Sequence, residues 1–182
     1  MRRIINSTFI TLDGVIANPH TWPRGRVEDE AGVAIQTDLL RSCDAVLMGR
    51  RTYDSFAAAW PARSGDPYSD QINSMAKYVV SSTLQKADWR NSTIISGDPV
   101  PQIERLKREP GKDIVQYGFG QLSYALMHHG LLDELRLWLH PLFLGRGGSE
   151  ALLYRDGPTA SFTLVDTRTL KNGDVLLTYR PA

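Results

Sequence analysis

Ala45-Val46-Leu47-Met48-Gly49-Arg50-Arg51-Thr52-Tyr53 is the stretch on which the fold turns. A short apolar run that stops at a glycine reads as a strand buried on both faces, the kind found in parallel sheets covered by helices. Residues 50–59 continue as a helix, so strand passes to helix through one glycine. Tyr117-Gly118-Phe119-Gly120-Gln121-Leu122 repeats the transition, and Val80-Ser81-Ser82-Thr83 ends another apolar run in hydroxyls.

Working outward, residues 4–16 are rich in Ile, Thr, Phe and Val and form a first strand that runs into Asp13-Gly14, a turn signal. A polar loop covers residues 18–30. Ile35, Leu39 and Cys43 then recur at helical spacing, which places Cys43 on a buried helix face. Strands follow at 77–82, 93–96 and 114–117. Asp98-Pro99 opens a helix as N-cap and first-turn proline. Leu122, Ala125, Leu126 and His129 line a further helix that Gly130 closes in the left-handed region. Leu135, Leu137 and Leu139 alternate with Arg136, Trp138 and His140 as a strand, and Lys171-Asn172-Gly173-Asp174 joins two more in a hairpin. The expected fold is α/β: three layers, α/β/α, with a mainly parallel central sheet and an antiparallel C-terminal hairpin. The 182 residues are expected to form one domain.

Composition narrows the function. With 42% hydrophobic residues and a net charge of +1, the chain is neither disordered nor a strongly basic nucleic-acid binder. One cysteine excludes an internal disulfide framework and multi-cysteine metal sites. Apolar runs are too short to span a bilayer, and polar residues from Asn6 to Asp13 break any signal-like segment. A cytoplasmic protein without membrane or nucleic-acid partners is expected. His128 and His129 are adjacent, about 100° apart on a helix, and do not clamp one metal.

The three junctions point to a nucleotide. In open α/β sheets ligands sit beyond the carboxyl ends of strands, and helix N-termini favour anions. A strand–glycine–helix junction is also an ordinary packing device, so the weight rests on the three together. Gly118-Phe119-Gly120 with Ser123 only approaches the dinucleotide fingerprint. It falls late in the chain, and the next strand ends in His140-Pro141 in place of an acidic ribose ligand.

Taken in order, the segments resemble the dihydrofolate reductase fold, and more closely the bacterial relatives of the riboflavin-biosynthesis reductase domain. The matching blocks are Thr11-Leu12-Asp13-Gly14-Val15-Ile16-Ala17, Met48-Gly49-Arg50-Arg51-Thr52-Tyr53, Val79-Val80-Ser81-Ser82-Thr83, and Gly130-Leu131-Leu132-Asp133-Glu134-Leu135 through His140-Pro141-Leu142-Phe143-Leu144-Gly145. The resemblance implies an NADPH-dependent reductase acting on a small flat heterocycle of pterin, pyrimidine or flavin type. The alternative is a binding protein that keeps the fold without turnover. By the same resemblance Gly49, Arg50, Arg51 and Thr52 hold phosphates, and Ser81, Ser82 and Thr83 the adenosine end. Gly118, Phe119, Gly120, Gln121 and Leu122 cover the diphosphate, and Ile16 and Ala17 lie along the nicotinamide. Trp22 and Phe56 line the substrate pocket. Asp13 is a substrate- or water-positioning candidate, although Asp before Gly more often makes a turn.

The chain departs from the family at Phe119, where a small residue is usual. It departs again at Val33, near the place of the carboxylate that assists pterin protonation. Asp38 lies one turn later, and Glu28, Asp29 and Glu30 come before it. True dihydrofolate reduction is therefore not expected. NADPH selectivity is expected from Arg50 in a pocket free of an opposing carboxylate. A homodimer is expected from the apolar surplus of residues 135–144.

Overall fold

A computed structural model of the chain describes residues 1–23, 29–154, 156–157 and 159–182. Of the residues singled out above, Glu28 lies outside these. Strand β1 (Ile4–Thr11) leads to helix α1 (Glu30–Ser42), then β2 (Cys43–Gly49), α2 (Arg50–Ala59), α3 (Pro67–Ser74), β3 (Ala76–Val80) and β4 (Ser92–Ile95). Helix α4 (Pro99–Arg108), β5 (Asp113–Tyr117), α5 (Gln121–His128), β6 (Glu134–His140), β7 (Phe162–Thr169) and β8 (Val175–Pro181) complete the order. Among the described residues eight strands form one sheet, β4-β3-β2-β5-β1-β6-β8-β7. The pairs from β4 to β6 are parallel; β8 runs antiparallel to β6 and to β7.

Alternation along the strands sends successive side chains to opposite faces. Ile5, Val46, Met48, Val115 and Tyr117 pack against Leu39, Leu40, Tyr53 and Ile72 of α1, α2 and α3. Ile4, Ala45, Leu47 and Ile114 meet Ile103, Leu106 and Leu126 of α4 and α5. The expected three layers are there, with two departures. The chain leaves α1 directly into β2, so Cys43 is the first strand residue, not part of a helix face. It is buried, and burial pushes its thiol up to about 11, which makes it inert at neutral pH. Helix α3 is an addition, started by Asp66 and Pro67.

Of the apolar surplus expected on residues 135–144, the part on β6 is covered, while Phe143 beyond it is 73% exposed. β6 is an interior strand, and Trp138, 2% exposed, packs on Leu170 and Leu176 beside Phe9. The exposed apolar strand is β7 at the sheet edge, where Leu164 and Val165 remain 49% and 45% exposed.

Candidate functional site

The carboxyl ends of β3, β2, β5 and β1 stand side by side. At the usual strand spacing they span about 14 Å. This edge brings the expected segments together. Val80, before Ser81-Ser82-Thr83, pairs with Gly49; Met48 pairs with Tyr117, before the Gly118 turn; and Tyr117 pairs with Ser7 of β1.

The helices beginning here are built unlike the others. α1, α3 and α4 each start on an aspartate that accepts first-turn amides: Asp29 from Ala31 and Gly32, Asp66 from Tyr68 and Ser69, Asp98 from Val100. α2 and α5 start on Gly49 and Gly120, with no side-chain cap and no acidic residue in the first turn. Their amides and the positive ends of their dipoles face the strand edge unneutralised.

Backbone strain does not explain these two glycines. Gly49 has φ −77° and Gly120 φ −174°, angles any residue adopts. A β-carbon at either would meet nothing within 4 Å. Gly118 differs on both counts: φ is +78°, and an added β-carbon would collide with Thr52 Oγ1. The turn after β5 is thus closed onto the first turn of α2.

A buried polar network sets the orientation of that turn. The Gly118 carbonyl accepts from Asn6 Nδ2 (2.9 Å), Gln116 Nε2 (2.9 Å) and Ser123 Oγ (3.3 Å). Asn6 Nδ2 also donates to Gln116 Oε1 (2.6 Å), and Thr8 Oγ1 donates to Asn6 Oδ1 (2.8 Å). A trans peptide sets its N–H opposite its carbonyl, so the Phe119 N–H points away from the network. Among the described residues nothing accepts from the Phe119 or Gly120 backbone N–H. The Phe119 ring folds back edge-to-face on Tyr124 (5.5 Å), so its bulk leaves the turn compact.

The remaining candidates divide. Ser81 is buried, and its Oγ accepts from the Thr83 and Leu84 amides, so it shapes the turn; Ser82 and Thr83 are exposed. Arg51 reaches Glu150 Oε2 at 3.2 Å. Arg50 corrects an expectation: its Nε lies 2.8 Å from both carboxylate oxygens of Asp54 on the same helix, so the guanidinium does face a carboxylate. Helical i,i+4 geometry creates that pair.

On the β1 side, the Ile16 and Ala17 amides both donate to the Ala151 carbonyl (2.8 and 3.3 Å). The Ala17 carbonyl accepts from Trp22 Nε1 (3.0 Å). Trp22 is buried and meets His140 edge-to-face at 5.4 Å. Asp13 accepts from Thr11 Oγ1 and from the Leu144 and Gly145 amides (3.1 and 2.9 Å). The Thr11 hydroxyl first, then these amides, hold its carboxyl below the usual range. Asp13 is an ionised clamp between β1 and the segment after β6, and does not supply a proton. Of the positions singled out around α1, Val33 is 42% exposed, Asp38 pairs with Arg41 (3.5 Å), and Asp29 both caps α1 and accepts from the Lys171 amide (2.7 Å).

Phe56 lies against Tyr117, ring centroids 5.3 Å apart, one helical turn beyond Thr52. The Asn6–Gln116–Ser123 network and Tyr117 were not anticipated. The signal for the first is Asn6-Ser7-Thr8, three polar residues in a row inside a central strand. A groove of about 340 Å³ at the other edge, lined by Tyr78, Thr93, Gln102, Arg105 and Glu109, shares no residue with this site.

A family model described as the RibD C-terminal domain matches residues 2–176. Uncharacterized protein YyaP of Bacillus subtilis is 32% identical over 184 residues, which cover 98% of this chain and 94% of that protein. Among solved structures, a putative riboflavin biosynthesis protein from Shewanella sp. PV-4 superposes with TM-score 0.71 at 22% identity, covering 100% of this chain and 99% of that one. A pyrimidine reductase-like protein from Corynebacterium diphtheriae gives TM-score 0.69 at 14% identity, covering 100% and 92%.

Proposed function

The chain belongs to the RibD C-terminal domain family, and from that premise we propose that it is an NADPH-dependent reductase of a small flat heterocycle. The observation that carries the reading is the pair Gly49 and Gly120. Neither strain nor internal packing calls for glycine at these positions, yet both open bare helix starts on neighbouring strands. A ligand backbone pressed against them gives the glycines their reason, and a diphosphate matches the two uncapped helix ends. Bound there, NADPH supplies the hydride.

The residues of the chain bind and orient. Gly49 and the α2 amides, with Gly118, Phe119, Gly120 and the amides of Gln121 and Leu122, take the diphosphate. Ser82 and Thr83 lie toward the adenosine end, with Arg50 and Arg51 supplying positive charge. With their amides held by Ala151, Ile16 and Ala17 contribute side-chain surface to the nicotinamide. Trp22 excludes water, and Phe56 faces the heterocycle.

The two-carboxylate neighbourhood of Arg50 and Arg51 (Asp54 and Glu150) softens the selectivity expected for the ribose phosphate. A homodimer joined through β7 is part of the proposal, because an open edge strand with exposed Leu164 and Val165 is a ready pairing surface. Light scattering is expected to give twice 20.3 kDa.

Tryptophan fluorescence titrated with NADPH tests the reading. A saturable change below ~100 μM is expected, within the usual range for a working substrate. Its absence overturns both the reductase and the binding-protein alternative. Steady NADPH oxidation with one member of a pterin and pyrimidine panel separates the enzyme from the alternative, which binds without turnover.

A further inference from the structure

Residues 149–153 lie across the strand edge as a strap. On one side they are knitted to the chain leaving β1. The Ala151 carbonyl takes the Ile16 and Ala17 amides, the Leu153 amide donates to the Gly14 carbonyl (2.8 Å), and Leu152 faces Val15 in an antiparallel bridge. On the other side the strap reaches both bare helices. Glu150 meets Arg51 of α2, and the Leu153 carbonyl accepts from the Tyr124 hydroxyl of α5 (3.1 Å).

These two anchors are unequal. The Arg51 and Glu150 side chains are 84% and 75% exposed, and an ion pair so open to water holds little. Tyr124 is half-buried and stands on a rigid mount. Its amide closes the first turn of α5 on the Gly120 carbonyl (3.0 Å), and its neighbour Ser123 is buried and accepts from Gln116 Nε2 (2.8 Å). Gly157 packs on the ring from the chain beyond the strap, so close that an added β-carbon would lie 3.2 Å from Tyr124 Cδ1. The Phe119 ring meets the same side chain edge-to-face. Tyr124 therefore touches both the turn that presents the Phe119 and Gly120 amides and the strap that holds Ile16 and Ala17.

We propose that Tyr124 is a positioning residue whose hydroxyl, acting through the Leu153 carbonyl, fixes the Ile16–Ala17 segment relative to the Gly118–Gly120 turn, so that one dinucleotide fits both. The inference rests on the reductase reading for the identity of the ligand. It goes further by naming a residue outside the set that holds the ligand and by giving the strap a task. A segment fixed before the nicotinamide arrives spares the complex the entropy of ordering it. Tyr124→Phe takes away the hydroxyl alone and leaves the ring on which Phe119 and Gly157 rest.

Two probes on the full chain separate positioning from packing: NADP⁺, and 2′-phospho-ADP-ribose, the same molecule without its nicotinamide. Losing one neutral hydrogen bond weakens binding roughly 2- to 13-fold, the loss expected for NADP⁺ in Tyr124→Phe. The affinity for 2′-phospho-ADP-ribose is expected to stay at the wild-type value, whereas a disturbed glycine turn weakens both ligands alike. In the ligand-free protein the Ile16, Ala17 and Leu153 amides are expected to exchange hydrogen faster in the variant. Unchanged exchange at these three amides, unchanged NADP⁺ affinity, or an equal loss for both ligands overturns the proposal. If neither ligand binds the wild type while Tyr124→Phe still frees the three amides, the tie stands and the cofactor reading falls.

Discussion

Replacing each glycine of the strand edge by alanine separates what the fold needs from what a ligand needs. At Gly118 the new β-carbon enters the left-handed region, costing about 1–2 kcal/mol, and displaces Thr52, an overpacking cost of about 1–3 kcal/mol. A domain of this size loses about 2–4 °C per kcal/mol, so Gly118→Ala is expected to lower the thermal midpoint by roughly 4–20 °C. At Gly49 the β-carbon meets no atom within 4 Å. Reduced unfolded-state freedom and a poorer N-cap offset each other to within about 1 kcal/mol. Gly120→Ala has the same open space and an extended backbone. Both are expected to melt near the wild type yet bind NADPH at least tenfold more weakly, a loss of about 1.4 kcal/mol. Circular dichroism of the ligand-free protein and a fluorescence titration give the two numbers. Wild-type NADPH affinity in both Gly49→Ala and Gly120→Ala refutes the assignment of that space to the cofactor. Wild-type stability in Gly118→Ala refutes the collision with Thr52.

Asp54→Asn removes the carboxylate beside Arg50 and is expected to tighten NADPH about twofold, the scale of an exposed i,i+4 ion pair. An unchanged dissociation constant at low salt removes Arg50 from the phosphate site. Asp13 is held ionised by its hydrogen bonds, so its contribution is complete above the ordinary carboxylate value near pH ~4 and is lost as pH falls through the lower folded value. Hydrogen exchange at the Leu144 and Gly145 amides is expected to lose protection over that acid window in the wild type. In Asp13→Asn the loss is expected to be pH-independent, and a shared acid transition counts against the clamp.

Much of the architecture is legible where one local signal agrees with the next. The apolar run into Gly49, the Asp98–Pro99 cap and the Asn172–Gly173 turn each coincide with observed boundaries. Helix α3 carries the same Asp–Pro opening at Asp66–Pro67, but eight mostly polar residues present little apolar periodicity. Cys43 deceives periodicity because it is buried four residues after buried Leu39, the spacing of a helix face, although the chain has already passed into β2. The site's glycines are readable from spacing, whereas its hydrogen bonds are not. Asn6 and Gln116 are 110 positions apart, and only strand order makes them neighbours. The Arg50–Asp54 pair is different, being visible as an i,i+4 spacing within one helix.

The knitting of β1 has a consequence for how the chain reaches this structure. β1 is an interior strand of the sheet, and the partners of the segment around it lie 110 to 131 positions downstream: Asp113 with Arg3, Asp133 with Ile4, and Leu144 with Asp13. On the ribosome, β1 therefore waits until β5 and β6 have emerged. Long-range parallel pairing of this kind makes folding slow and leaves an apolar strand exposed in the interval. The polar Asn6-Ser7-Thr8 interruption that orients the Gly118 turn also lowers the hydrophobicity of that waiting strand, so the residues that position the site also guard the nascent chain against aggregation.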